Sequence, residues 1–596
     1  MSETANIGGM FLAGAREIAD QRELLLMRVG PKWQTISWSE AALAVREMAL
    51  GLLERGIEEG DTLAMVSVPT PTSALFGLAV TALRARLLCL PLGLAEGQLA
   101  ALLASNGVRA LMLPGARQAA ALEATPEILS GVAAAFVADP EFKPTHRRFA
   151  RLADVRNEGR ASRLDRLLGE RLARADLDDP ALIVLPRRRT LEVVTLTHAD
   201  LVAATEAAVE GLRFTSDDVV LLGHSMAEAG AWSAGLLATI HARGRLAFFE
   251  EGEPLSELAA AAPTVVLGPP SLAARLRAGL CSVGEAGPSK SGLAQGLGLA
   301  EACARGRYVA ARGGPPVEPK PPITARARLA FTKRRICSKA HQCLGGHLRR
   351  VVVSGGAPCP ATVTFFELLG VEVWSAYGLA ETAGPFAFGT ARRGWPDSGP
   401  LTHVAAGFKL RLSAVGEVEV HAPPGRTSLA PSISESFWRR TGDLGRMDEE
   451  GGESVVSILG ARDELLEHNG AVLSPPRLEL LLEAEPLVER AWVYPGPRQT
   501  LLAAIVVDGV RLRDWQQRNS RSLLTPQEAA LDSRHQELFG ACLARANAWL
   551  PPAHRIDGLL VAPYSWSAEN GYTSPRGALQ RSRLGELQQT LVSVRD

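Results

Sequence analysis

Three short stretches carry the side chains with which this chain could do chemistry. VVVSGGAPCP (351–360) is a strand running into a loop of small residues, where Gly355 and Gly356 let a backbone approach a flat or anionic ligand closely. WSAYGLAETAG (374–384) brings an aromatic ring, hydroxyls and one carboxylate into a single loop. Glu381 has the chemistry to hold Mg²⁺, which takes few carboxylates plus phosphate oxygens, and Tyr377 can stack on a base. RRTGDLGRMDEEGG (439–452) places Asp443 after a Thr-Gly turn, where a carboxylate can accept both hydroxyls of a ribose. Each stretch alone also reads as an ordinary structural unit: a strand–turn–helix, a loop with one exposed Glu, a hairpin turn.

The elements that must position these loops alternate. DTLAMVS (61–67), RALMLPG (109–115), VVLLGHS, RLAFFE, TVVLGPP, RRVVVSGG and VEVWSAYG are short apolar runs bounded by turn residues. Helical patterns separate most of them, which predicts an α/β fold with largely parallel sheets. Residues 35–57 predict an amphipathic helix with Ser39 as its N-cap. From 403 to 458 short alternating strands such as GEVEVHA predict a small antiparallel, barrel-like subdomain. Residues 283–325, rich in Gly, Ala and Pro, read as a flexible surface insertion. The remainder, 460–596, has its own strand–helix pattern and reads as a small α+β domain following a large one over 1–459.

Composition narrows the function classes. At 596 residues the chain is too long for one ordinary core. Apolar residues at 46% and charged residues at 21% suit a soluble globular protein. A formal net charge of zero argues against nucleic-acid binding through a basic face. The seven cysteines include no CxxC pair, which disfavours zinc and a disulfide framework and suits a reducing cytoplasm. MSETANIGGM does not resemble a signal peptide. The most apolar segment, 75–94, carries Arg84 and Arg86 and reads as buried rather than membrane-spanning, with peripheral membrane contact left open.

In this order and spacing the three stretches resemble the adenylate-forming (AMP-binding) superfamily. Within it the likeness is greatest to long-chain fatty acyl-CoA synthetases, on PTVVLGPPSLAARLRAGL (263–280), LGGHLRRVVVSGGAPCPATVTFFELLGVEVWSAYGLAET (344–382) and WSAENGYTSP (566–575). The resemblance implies two half-reactions. A fatty carboxylate attacks the α-phosphate of ATP to give acyl-AMP, and CoA then takes the acyl group after the mobile small domain rotates. It implies that Gly356, Ala357 and Pro358 line the adenine pocket with Tyr377, that Thr382 sits near the α-phosphate, Glu381 on Mg²⁺ and Asp443 on the ribose. It places a hinge near Asp463.

Four places depart from the family pattern. The phosphate loop, normally Ser/Thr/Gly-rich and ending in Lys-Gly, falls within ALIVLPRRRTLEVVTLTHADL (181–201). That loop has no glycine, Pro186 has no N–H to give, and Glu192 or its neighbour stands where the lysine belongs. Arg187, Arg188 and Arg189 are the side chains that can bind phosphate there instead; otherwise the loop is a solvated turn. Beyond it, Thr197 and Asp200 predict a capping box. Second, LGARDELL (459–466) has Gly460-Ala461 where the family has Gly-Arg, with Arg462 one place late. Third, His224-Ser225 reverses a Ser-His order, which a register slip would explain. Fourth, in ENGYTSPRGALQRSRL (569–584) the family's final lysine falls on Ala578 or Gly577, and no lysine follows Lys409. Arg576 or Arg581 could bring charge, though a guanidinium is wider than an ammonium. The expectation is a divergent synthetase-like protein with impaired or lost adenylation. It would bind fatty acid, acyl-CoA, acyl-AMP or nucleotide, or act as protein partner of an active enzyme. The alternatives are an active ligase with arginine substitutes, or an acyl reaction that needs no ATP.

Overall fold

The computed structural model describes residues 6–18, 21–29, 32–144, 146–186, 192–249, 258–284, 342–391, 401–421, 438–450, 453–574, 577–588 and 591–593. Nearly all of the 283–325 insertion, together with Arg187, Arg188, Arg189 and Arg576, lies outside them.

TLAMVS forms the strand Thr62–Ser67 with all six residues buried, as a strand covered by helices on both faces must be. It sits in a seven-stranded sheet ordered Phe149–Arg151, Ala134–Val137, Val108–Leu113, Thr62–Ser67, Arg86–Pro91, Pro180–Val184, Val194–Thr197. All pairings there are parallel except the last. A nine-stranded sheet runs His403–Val404, Gly384–Ala391, Glu372–Leu379, Arg350–Ser354, Val265–Gly268, Val219–Leu222, Arg245–Phe248, Glu23–Val29, Lys32–Ser37. Its middle is parallel and both its edges are antiparallel. The first two site stretches, 351–360 and 374–384, therefore stand at the carboxyl ends of neighbouring strands, the edge where open α/β sheets bind ligands.

The predicted first amphipathic helix is Trp38–Glu54, and its cap is a correction: Ser37, not Ser39. The Ser37 hydroxyl accepts the Glu40 N–H at 3.2 Å, and the Ser37 N–H donates to the Glu40 carboxylate at 2.8 Å. Only Ser37 has a Glu three residues on, so only it can complete a reciprocal box. The Thr197–Asp200 box forms as expected, opening the helix His198–Leu212.

The strands Lys409–Leu412, Glu417–His421, Arg439–Glu450 and Glu453–Ala461 make a separate antiparallel sheet. His403–Val404, expected in that subdomain, instead joins the edge of the nine-stranded sheet. The small C-terminal domain has a mixed sheet of Val488–Pro495, Leu501–Val507, Gly558–Val561 and Val592–Ser593, with the helices Pro475–Glu483 and Ser533–Asn547 packed near it. Its apolar cluster, containing Leu478, Leu482 and Phe539, takes in Cys359 and Ala361 from the large part of the chain. Arg277 Nη1 donates to the Ala484 carbonyl at 2.8 Å across the same contact. No described helix is long and apolar enough to cross a membrane.

Candidate functional site

The Arg350–Ser354 strand ends on the first small-residue loop. Gly355 has φ +73°, a left-handed conformation that suits glycine, and a Cβ on Gly356 would come within 2.9 Å of Pro270 Cγ. Gly355 and Gly356 are exposed, whereas Pro358 is buried. Ala357 and Pro358 line a cavity of about 50 Å³ shared with Leu473, Ser474 and Arg477. Two of the residues expected at adenine, Ala357 and Pro358, thus face the C-terminal domain.

The next strand, Glu372–Leu379, delivers Tyr377 to Asp443, which is 5% exposed. The Tyr377 hydroxyl donates to Asp443 Oδ2 at 2.8 Å, and its ring meets Phe386 edge-on. Two residues expected at opposite ends of a nucleoside are thereby brought together. The chain then makes a short 3₁₀ turn, Ala380–Thr382, with Ala383 at φ +55°. Thr382 Oγ1 accepts the Leu379 N–H at 2.9 Å and lies 2.8 Å from the Gly384 carbonyl. That hydroxyl holds the turn in shape. The turn is tied from behind by Ser233, whose hydroxyl donates to the Ala383 carbonyl at 2.6 Å. Ser233 belongs to the π-helix Ala231–Leu237, a wound-out geometry that recurs at functional sites. Glu381, expected on Mg²⁺, has Arg439 Nη2 3.7 Å from its Oε1.

Asp443 and Ala461 are cross-strand partners. The residue opposite the expected ribose carboxylate is therefore a methyl group. Arg462, one position on, is exposed and lies 3.8 Å from Glu417. Asp463 follows as an exposed turn residue just beyond the Glu453–Ala461 strand.

The final motif is a closed turn. The Gly577 N–H donates to the Ser574 carbonyl at 2.8 Å, and the Ser574 N–H donates to the Ala578 carbonyl at 2.6 Å. Gly577 has φ +77°, while Ala578 is exposed. Arg581 donates from both Nη atoms to Glu479, at 2.7 and 2.9 Å. Burial pushes the Glu479 carboxyl up, outweighing the opposing effect of Arg581.

Pro180–Val184 and Val194–Thr197 are paired antiparallel, bracketing the expected phosphate loop. Glu192 is exposed at its far end.

The AMP-binding enzyme family matches residues 15–184 and 193–416. The chain belongs to that family. The break in the match, 185–192, falls on the phosphate loop. The chain is 26% identical over 591 residues to the long-chain-fatty-acid–CoA ligase FadD15 of Mycobacterium bovis, covering 93% of this chain and 91% of the relative. Its counterpart in Mycobacterium tuberculosis matches at the same identity and coverage. The fold is that of the adenylation domain of carboxylic acid reductase from Segniliparus rugosus, solved with AMP and a co-purified carboxylic acid. There the TM-score is 0.68 at 16% identity, over 98% of this chain and 93% of that one.

Two features of the site have almost no signature in the sequence. One is Arg439 beside Glu381, for which the only signal was a doubled arginine ahead of Thr-Gly-Asp. The other is a contact between His224 and Ser354, whose Nε2 and Oγ lie 2.6 Å apart. The reversed His224-Ser225 order was its only trace.

Proposed function

We propose that the chain is a long-chain fatty acyl-CoA synthetase-like protein that binds acyl and adenylate ligands, with ATP-dependent adenylation impaired or lost. Such a protein serves as a ligand-binding partner of an active enzyme. The observation that carries this reading is the pairing of Arg581 with Glu479 beside an exposed Ala578. Adenylation needs a mobile cation over the α-phosphate. The expected position carries a methyl group, and the described arginine nearest in sequence is held in a bidentate pair. Removing one such preorganised contact costs roughly 10²–10³ in rate.

Family membership implies ATP, Mg²⁺ and CoA. Glu381 has the Arg439 guanidinium 3.7 Å away, so a Mg²⁺ held there would compete with Arg439 and would take its remaining ligands from phosphate oxygens and water. The Tyr377–Asp443 pair and the Gly355-Gly356 loop support binding of the nucleoside part of an adenylate without a metal.

A pyrophosphate-release assay with a panel of fatty acids, ATP and CoA tests the reading. No release above the no-enzyme control, with binding of AMP or acyl-CoA by calorimetry, supports it. ATP-dependent turnover abolished in Glu381→Ala overturns it. The second reading, an active AMP-forming fatty acid–CoA ligase with arginine substitutes, has Arg439 in its favour. It requires turnover that falls in Arg439→Ala.

A further inference from the structure

We propose that Ser354 is an acyl acceptor, with His224 as its base and Glu228 orienting the imidazole, and that the chain hydrolyses acyl thioesters without ATP. The inference rests on the acyl-binding reading above, and it uses none of the phosphate-handling groups that the chain lacks.

Ser354 is the last residue of its strand, and His224 stands two residues beyond the strand Val219–Leu222. Both strands run parallel to Val265–Gly268 between them, so both residues lie at the carboxyl edge of one sheet. Ser354 Oγ is 2.6 Å from His224 Nε2. On the other side of the ring, Nδ1 is buried, makes no hydrogen bond, and has Glu228 Oε2 3.4 Å away. With Nδ1 carrying the proton, Nε2 is left as the acceptor for the serine hydroxyl. This is the order nucleophile, base, orienting carboxylate, with the last contact as loose as such contacts often are before substrate binds.

The surroundings leave room for a carbonyl. Ser354 is only half-buried, and the two residues after it are exposed glycines without side chains. The N–H groups of Gly356 and Ala357 take no partner among the described residues, so they remain to be satisfied by a ligand oxygen. A purely structural Ser–His bond would tie the 223–228 loop to the strand, but it would need neither a carboxylate behind the ring nor open backbone donors ahead of the hydroxyl.

The chemistry balances without a cofactor. Ser354 Oγ attacks the thioester carbonyl carbon as its proton passes to His224 Nε2. The C–S bond breaks, and the thiolate leaves with that proton as a thiol. Water then attacks the acyl-serine ester, giving its proton to His224. Ser354 Oγ departs and recovers that proton. The sum is thioester plus water to carboxylic acid plus thiol.

The full-length chain is incubated with hexadecanoyl-CoA in the absence of ATP, and thiol release is followed with a thiol-reactive dye. Acid-quenched protein is examined by peptide mass spectrometry, and a fluorophosphonate serves as a second probe of an activated serine. Release should fall at least about 100-fold in Ser354→Ala and in His224→Ala, and less in Glu228→Gln. The hexadecanoyl and phosphonyl groups should both map to Ser354. Ser354→Cys, which keeps a nucleophile at the same place, should retain acylation if Ser354→Ala proves poorly folded. If hexadecanoyl-CoA binds by calorimetry but the wild type releases no thiol and carries no adduct, the hydrolase proposal is overturned and acyl binding stands. If hexadecanoyl-CoA does not bind at all, both fall.

Discussion

Arg581 is gripped on both Nη atoms by the carboxylate of Glu479, a residue 102 positions earlier and 5% exposed. A guanidinium held by two bonds to a buried carboxylate is not free to swing to a phosphate. Breaking the pair from one side leaves the other charge buried. Arg581→Ala should therefore lower stability by about 3–5 kcal/mol, measured by denaturant unfolding.

A lysine can be put back, but only at one of the two candidate positions. Ala578 is exposed, so Ala578→Lys should fold normally and leave its ammonium free in solvent. Gly577 has φ +77°, and a Cβ there would lie 3.1 Å from Arg490 Nη2. Gly577→Lys should cost about 1–2 kcal/mol for the left-handed backbone alone. Pyrophosphate release should rise in Ala578→Lys by roughly tenfold at most, short of a full recovery because the other phosphate contacts remain altered. It should not rise in Gly577→Lys.

Calorimetry of AMP with and without EDTA tests the role given to Arg439. Affinity should be unchanged by chelation in the wild type. In Arg439→Leu the uncompensated Glu381 should weaken binding roughly fivefold without Mg²⁺, in keeping with about 1 kcal/mol for a partly exposed ion pair. Mg²⁺ should restore part of the loss.

The turn after Tyr377 should not tolerate a side chain at Gly384. Its φ is +125°, and a Cβ would sit 2.3 Å from the Ser233 hydroxyl that ties the turn down. Gly384→Ala should destabilise the protein by at least about 2 kcal/mol and weaken AMP binding, whereas Gly169→Ala, on a helix with open space around it, should do neither.

Glu483 gives the small domain a pH dependence. Burial pushes its carboxyl up to about 7 from the ordinary 4.5, against the opposing pull of Arg490 and of the Ala491 N–H. The folded state therefore favours the neutral acid. Its contribution to stability is complete below pH 4.5 and is lost as the pH rises to about 7, because folding must then bury a carboxylate that the unfolded chain keeps in water. Glu483→Gln should flatten the stability profile across that window by at most about 3 kcal/mol, measured by thermal unfolding at successive pH values.

The strands and the caps were written locally. Thr62–Ser67 and Val108–Leu113 follow from continuous apolar runs, and the Thr197–Asp200 box from two residues three apart. The Ser37 box obeys the same rule, because Glu40 lies three residues after Ser37 and no Glu lies three after Ser39. The absence of lysine from the final motif needed no structure either.

What that absence leaves behind was decided in three dimensions. His224 meets Ser354 across 130 residues, and Arg581 meets Glu479 across 102. Sequence spacing carries no record of either pairing, because each arises where separate strands and helices end side by side. Local periodicity determined the α/β elements, and the resemblance of three motifs to the adenylate-forming superfamily carried the expected site. Only the packing of distant elements determined which charges are already paired, since a side chain's partner depends on distance through space and not along the chain.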